Sequence, residues 1–284
     1  MIERAYAKIN LCLDVVGERE DGYHELRMIM IPLNFYDILT IEPASETSLS
    51  INRSFLPVNE KNTVIKAIRL IQERYGITQQ FACTLNKHIP TQAGLAGGSA
   101  DAAAAIRILN KMCSLNLSVP ELLDLGKHVG ADVPFCIMNQ PALVEGIGET
   151  LHPFSMNTDF EILLVKPRKG VSTAAAFSAL KENTMIHPDC DRMRTALENN
   201  DYDTVIASLG NTLEEVSMEL VPQIREIKED MYAFGFDGVL MSGSGSTVFG
   251  ITRNPKLMES TLNIMRNKGY FVRKTKPLTN HSGD

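Results

Sequence analysis

Residues Pro90-Thr91-Gln92-Ala93-Gly94-Leu95-Ala96-Gly97-Gly98-Ser99-Ala100-Asp101, followed by an alanine run, give the first foothold on this chain. Glycines at 94, 97 and 98 let a backbone approach an anion closely. The alanines after them predict a helix of high intrinsic propensity. A helix start offers unpaired N–H groups and a partial positive charge, so this loop–helix junction points to phosphate. Ser99 places a hydroxyl within reach of such a phosphate or of a metal bound to it. No lysine follows the glycines as in GxxxxGK[ST], so positive charge on a transferred phosphoryl group has to come from elsewhere. The spacing is not GxGxxG, which removes the dinucleotide-binding reading. The loop alone leaves a second reading open, a tight turn where strand and helix pack.

Upstream, Ala7-Lys8-Ile9-Asn10-Leu11-Cys12-Leu13-Asp14-Val15 alternates at period two and predicts a strand. Asp21-Gly22 reads as a turn, and 26–33 as a second strand, within a strand-rich segment 1–43. Val64, Ile65, Ile68 and Ile71 predict a helix over 62–75 that stops at Gly76, and 81–86 reads as a strand. Ser118 and Glu121 have capping-box spacing around a tolerated Pro120, for a helix ending near Gly130. A boundary is expected over 151–159, giving domains 1–154 and 155–284. Beyond it, 160–165 reads as a buried strand, and 173–181, 191–197, 204–210 and 221–234 as helices. A strand with a Gly/Ser loop follows at 238–247, then a helix at 255–268 and a strand near 270–275. The tail 279–284 is expected to fray.

The 284 residues carry 28 Lys+Arg and 34 Asp+Glu, a formal charge of −6, with 44% apolar residues. Such a composition supports a sizeable core and excludes wholesale disorder. Net acidity argues against nonspecific nucleic-acid binding, although an anionic small substrate can still find a locally basic site. The five cysteines are scattered without a CxxC pair, which suits reduced cytosolic thiols. The first residues lack the apolar stretch of a signal peptide, and no segment reaches the roughly 20 apolar residues of a membrane span. A cytoplasmic protein is expected.

Several side chains outside the loop could carry chemistry. Asp132, in Gly130-Ala131-Asp132-Val133-Pro134, could accept a proton, or bond its own backbone as a turn aspartate. Lys8 interrupts an apolar strand: either an outward edge lysine, or a cation near a phosphoryl group. Tyr23-His24 could stack on and read a base, or form a hairpin tip. Ser242-Gly243-Ser244-Gly245-Ser246-Thr247 lets one backbone pass close to another or to a ligand. Lys166-Pro167-Arg168-Lys169 reads as a solvated basic surface. The histidines show no metal-ligand spacing with each other.

Taken in order, Ala7–Leu11, Asp21-Gly22-Tyr23-His24-Glu25, the loop at 90–101, 130–134, Glu145-Gly146-Ile147-Gly148-Glu149 and 242–250 resemble the GHMP kinase superfamily across most of the chain. The DGYHE and EGIGE segments point, within it, to kinases of non-mevalonate isoprenoid synthesis. Those act on a cytidine-diphosphate-linked methylerythritol. The resemblance implies an α+β fold of two domains, ribosomal-protein-S5-like and then ferredoxin-like. It implies ATP and Mg²⁺, with phosphates on Gly94, Leu95, Ala96, Gly97, Gly98 and Ser99, the metal touching Ser99, and Asn62 and Lys87 near the nucleotide. Asp132 matches the catalytic aspartate and Lys8 its partner lysine. Asn10 and Thr173 match substrate-side polar positions. Tyr23 and Phe177 match aromatics that sandwich cytosine, His24 its reader and Ile147 a nearby wall. The resemblance further implies a small-molecule partner, no nucleic acid or membrane, and a monomer or weak homodimer. Gln92 and Ala96 stand where many relatives have glycine, and Ala100 where many have Ser or Thr. Since glutamine takes positive φ only at a cost, either an ordinary backbone there or a reshaped loop is expected.

Overall fold

The computed structural model describes residues 1–20, 22–181 and 185–278. Asp21 of the expected turn and the tail 279–284 lie outside the described residues. In chain order the first elements are β1 (Ile2–Glu18), β2 (His24–Ala44), β3 (Ser48–Ile51), α1 (Thr63–Tyr75), β4 (Gln80–Asn86), α2 (Gly97–Met112), α3 (Val119–Val129) and α4 (Val133–Met138). There follow β5 (Ala142–Gly146), β6 (Thr150–Pro153), β7 (Glu161–Lys166), α5 (Thr173–Ser178), α6 (Cys190–Glu198), α7 (Tyr202–Ala207) and β8 (Gly210–Asn211). The last are α8 (Glu214–Leu220), α9 (Gln223–Phe234), β9 (Gly238–Met241), β10 (Val248–Thr252), α10 (Pro255–Asn267) and β11 (Phe271–Thr275).

Two compact units are interleaved along the chain. The first comprises Met1–Ala7, Phe35–Thr91 and Ala96–Asn139; the second comprises Lys8–Asn34, Gln92–Leu95 and everything from Gln140. A cut at 154/155 keeps the whole first unit on its N-terminal side, together with 8–34, 92–95 and 140–154 of the second.

In the first unit, the second half of β2 pairs antiparallel with β4, from Ile38 opposite Asn86 to Ala44 opposite Gln80. The short strand β3 lies parallel to the other edge of β4. The expected helices form for the expected reasons. Asn62 Oδ1 accepts from Val64 N at 2.9 Å to start α1, whose buried stripe includes Val64, Ile65, Ile68 and Ile71. Gly76 ends α1 at φ 64°, a left-handed cap. The Ser118–Glu121 capping box starts α3. On α2, Ala100 and Ala102–Ala105 are at most 1% exposed, and α1, α3 and α4 all pack against this helix. Methyl side chains let those neighbours come close. α4 was not expected, because 130–134 reads as a turn. Its proline falls in the first turn, where a missing N–H is harmless.

In the second unit, an antiparallel sheet runs β11-β7-β10-β9, with Val165 of β7 opposite Val248 on one side and Val272 on the other. Helices α9 and α10 pack on it. At Gly250, a Cβ would fall 2.4 Å from Met231 Cε and 2.6 Å from Phe236 Cδ1, so a side chain there would have to displace both as α9 packs on β10. The first half of β2 pairs with β5, β5 with β6, and β1 runs parallel to β8 through Cys12 and Gly210. The helix expected over 204–210 ends at Ala207, and Gly210 joins a strand instead. A Cβ on Gly210 would meet Pro188 Cβ at 2.6 Å.

β1 departs from its sequence pattern. Alternation predicts one wet face, yet every residue from Ala7 to Leu13 is buried, Lys8 and Asn10 included. The reading of Lys8 as an outward edge lysine is therefore corrected.

Candidate functional site

In the first unit, α2 begins as an open anion seat. Its N-cap is Ala96, at φ 55° and ψ 29°, which has no side chain to bond the first-turn amides of Gly97, Gly98 and Ser99. Thr63 Oγ1, at the start of α1, donates to Gly98 O at 2.7 Å and steadies that turn. Below it lies Lys87, 4% exposed, with its ammonium bonded to Asp37 Oδ2 and, at 2.7 Å, to Asp101 Oδ2. Asp37 Oδ1 also accepts from the backbone N of His88 and, at 2.8 Å, of Ile89. A Cβ on Gly97 would lie 3.0 Å from Ile89 Cγ2 and 3.2 Å from Lys87 Nζ, so the turn sits directly on these groups. Burial pulls the Lys87 ammonium down, and Asp101 and Asp37 more than offset it, so its pKa stands above the ordinary lysine value. Burial pushes the Asp101 carboxyl up, against the pull of Lys87.

Asn62, expected near the nucleotide, uses its side chain locally: Oδ1 caps α1 and Nδ2 donates to Pro57 O at 2.9 Å. Asp132 is half-buried at the N-cap position of α4, and its carboxylate makes no cap bond. α4 itself is fixed by buried Val133, Pro134, Phe135 and Cys136, and by Arg107 of α2, which donates to Cys136 O at 2.8 Å. Sequence reasoning missed Asp37 and left Asp101 without a role. The signal for Asp37 was a lone carboxylate inside the apolar run Phe35–Leu39.

The second unit gathers a different set. Lys8 Nζ donates to Asn10 Oδ1 at 2.7 Å, Asn10 Nδ2 to Met28 Sδ at 3.2 Å, and Lys8 N to Leu95 O at 3.2 Å. Residues 92–95 pack on the Gly/Ser loop at 242–247. Ser242 Oγ donates to Gly94 O at 2.9 Å, and Thr247 N to Ala93 O at 3.3 Å. Gly94, at φ 70°, could not carry a side chain, because its Cβ would lie 1.9 Å from Ser242 O. Here the small residues serve the passage of one backbone past another. Thr173, first residue of α5, shares a 2.9 Å hydrogen bond with Ser244. Phe177 lies one turn further along α5, and the His24 ring packs on it at 5.0 Å between centroids, tilted by 35°. Tyr23 is 60% exposed. Ile147 is held in a turn: its N–H donates to Glu149 Oε2 at 2.7 Å, between glycines at φ 74° and 119°. Lys166, expected on a solvated surface, is 6% exposed, and burial lowers its pKa.

Both departures from glycine adopt the left-handed backbone, Gln92 at φ 48° and Ala96 at φ 55°. Of the two alternatives expected at Gln92, the ordinary backbone is the one the structure excludes. A non-glycine residue there costs on the order of 1–3 kcal/mol. Gln92 also packs on Gly170, where a Cβ would lie 2.5 Å from Gln92 Cβ. Gln92→Gly relieves that strain but loses this contact and loosens the unfolded chain by about 0.5–1 kcal/mol. The expected result is a change in unfolding free energy below about 1 kcal/mol, with KM for ATP at or slightly below the wild-type value. Denaturant titration and steady-state kinetics check it. A large rise in that KM would show that the Gln92 side chain contacts the nucleotide.

Among the described residues, no group of three or more His, Cys, Asp or Glu side chains could hold a metal ion. Ser99, in the first turn of α2, fits a metal carried in mainly by phosphate oxygens. The open first turn fits the phosphates themselves. Among the described residues, no helix is long and apolar enough to cross a membrane.

The model of the GHMP kinases N terminal domain matches residues 62–142, and that of the GHMP kinases C terminal domain matches 193–270. A 4-diphosphocytidyl-2-C-methyl-D-erythritol kinase of Geobacillus thermodenitrificans is 42% identical over 93% of this chain and 92% of its own length. One from Lachnospira eligens is 44% identical over 94% and 93%. A crystal structure of 4-(cytidine 5'-diphospho)-2C-methyl-D-erythritol kinase superposes with TM-score 0.82 at 30% identity, covering 98% of this chain and 100% of the other. A homoserine kinase at 18% identity and TM-score 0.72 shares the fold. The chain is a small-molecule kinase with a mixed α+β fold, and it belongs to the GHMP kinase family.

Proposed function

We propose that this protein transfers the γ-phosphate of ATP to the 2-hydroxyl of 4-diphosphocytidyl-2-C-methyl-D-erythritol, in non-mevalonate isoprenoid precursor synthesis. The observation that carries the choice of acceptor is the ring pair in the second unit. Phe177 on α5 and His24 at the start of β2 offer aromatic surface beside an imidazole. Acceptors such as homoserine or mevalonate have no base to stack there. The identity of 42% over nearly the whole chain with a kinase named for this acceptor supports the same reading.

Phosphoryl transfer needs positioning and charge neutralisation more than covalent help. The first-turn amides of α2, with Gly94 and Leu95, bind the ATP phosphates. Asn62 and Lys87 belong to the nucleotide side. Ser99 would be this chain's contact to a Mg²⁺ bound with ATP, which would supply charge neutralisation at the phosphates. Asp132 accepts or orients the hydroxyl proton of the acceptor. Lys8 opposes the negative charge that develops during transfer. Asn10 and Thr173 hold the acceptor's polar groups. Tyr23, His24 and Phe177 bind the cytosine, with Ile147 beside it. The N-terminal portion, 1–154, is then the ATP-binding domain and 155–284 the substrate-binding one. The enzyme works in the cytoplasm, as a monomer or weak homodimer.

Turnover with ATP and a panel of acceptors tests this directly. Stacking on an aromatic contributes roughly 1–3 kcal/mol per base when lost to alanine. Phe177→Ala should therefore raise KM for the cytidylyl acceptor by about ten-fold or more, with KM for ATP nearly unchanged. Equal weakening of both substrates would assign Phe177 to the fold instead. Free methylerythritol phosphate turning over as well as the cytidylyl form would overturn the choice of acceptor.

A further inference from the structure

The ammonium of Lys87 is already committed within the first unit. It is 4% exposed, and two carboxylates bind it: Asp37, from β2, and Asp101, from the second turn of α2. Asp101 is 3% exposed, and its other oxygen, Oδ1, is buried without a hydrogen bond among the described residues. A buried carboxylate held by one contact is costly unless that contact does something for the molecule. The contact joins the start of α2 to the segment after β4. Asp37 completes the joint from the other side, because its Oδ1 accepts from the backbone of His88 and Ile89. Ile89 and Lys87 Nζ are in turn the atoms against which Gly97 packs.

We infer that Asp101 is a positioning residue for nucleotide binding: through Lys87 and Asp37 it fixes the height and direction of the first turn of α2, and Lys87 is the rivet of that joint rather than a ligand of the phosphates. The inference rests on the assignment of that turn to ATP phosphates. It refines the place of Lys87 on the nucleotide side, from contact to support. Among the described residues no other side chain bonds this ammonium, and the glycines above it keep the backbone close enough for the joint to be felt.

The two roles of Lys87 give opposite signs. Removing Asp101 from a phosphate-binding lysine would release the cation toward ATP, so KM for ATP would fall or hold. Removing it from a joint lets the first turn shift, so KM for ATP rises. Asp101→Ala in the full chain should raise KM for ATP about ten-fold, with KM for the acceptor within two-fold and kcat within about three-fold. Asp101→Asn keeps an oxygen acceptor for Lys87 and should recover most of the loss, which general destabilisation would not predict. An unchanged or lowered KM for ATP in Asp101→Ala, or an equal rise for both substrates, overturns the inference. An inactive wild-type protein would instead sink the kinase assignment itself. A second measurement needs no variant: acetic anhydride labelling of lysines in the wild-type protein, read by peptide mass. Lys87 should resist labelling equally with and without ATP. Labelling that ATP prevents would make Lys87 a ligand and overturn the inference even if Asp101→Ala fails to fold.

Discussion

Asp132→Ala is expected to lower kcat by about 10²–10⁴-fold, the range of a lost general acid–base group, while leaving the fold in place. The expectation of an intact fold comes from how α4 is held. Its first five residues, Val133–Ile137, are buried, and Arg107 bonds its fourth. The Asp132 carboxylate makes no cap bond to the helix it precedes, so removing it takes away no capping energy. Loss of activity with an unchanged thermal midpoint would then belong to chemistry. Asp132→Asn separates two roles. An amide can orient the acceptor hydroxyl but cannot take its proton, so a base gives Asn as poor as Ala, and an orienting group gives Asn well above Ala. A folded Asp132→Ala enzyme with near-normal turnover would remove Asp132 from the reaction.

Much of the architecture could be read without coordinates, because its signals are local. The α1 stripe, its Asn62 cap and Gly76 stop, the Ser118–Glu121 box and the strand–loop at 238–247 each lie within a few residues of sequence. What escaped was set by distant packing. Gly210 joins β8 rather than a helix because β1 offers it a partner at Cys12. α4 was hidden behind a Gly-Ala-Asp-Val-Pro string that reads as a turn. The positive φ at Gln92 and Ala96 could not be foreseen either, since the strain is local and the packing around Gln92, against Gly170, is not. For the candidate site, residue types were legible and couplings were not. Lys8 stood out as a charge in an apolar strand, whereas Asp37, equally a charge in an apolar run, was passed over. Pattern alone could not say that the polar face of β1 is covered, or that Lys87 already has two carboxylates. Period two tells which residues share a face, and only tertiary packing tells whether that face meets water.

That covered face makes Lys8 the second large effect. Lys8→Met should lower kcat by about 10²–10³-fold, comparable to losing one preorganised donor to a developing charge. KM for ATP should change by no more than about three-fold. The reasoning is differential. A cation that meets the phosphates equally before and during transfer would lower KM without raising kcat, whereas one that acts as charge develops shows itself in kcat. Its preorganisation is visible: Nζ is tied to Asn10 Oδ1 at 2.7 Å, and the Lys8 amide donates to Leu95 O within the glycine-rich segment. Methionine matches the length of the lysine stem and fills the space, but it leaves Asn10 Oδ1 without this donor. That should cost about 1–3 kcal/mol of stability, as for a buried acceptor that loses its partner. The kinetic comparison therefore belongs at a temperature where denaturant titration shows both proteins fully folded. Under that control, unchanged kcat with weakened ATP binding would make Lys8 a ground-state phosphate contact. Unchanged kinetics in both would leave it as a buried structural lysine, held for its bond to Asn10.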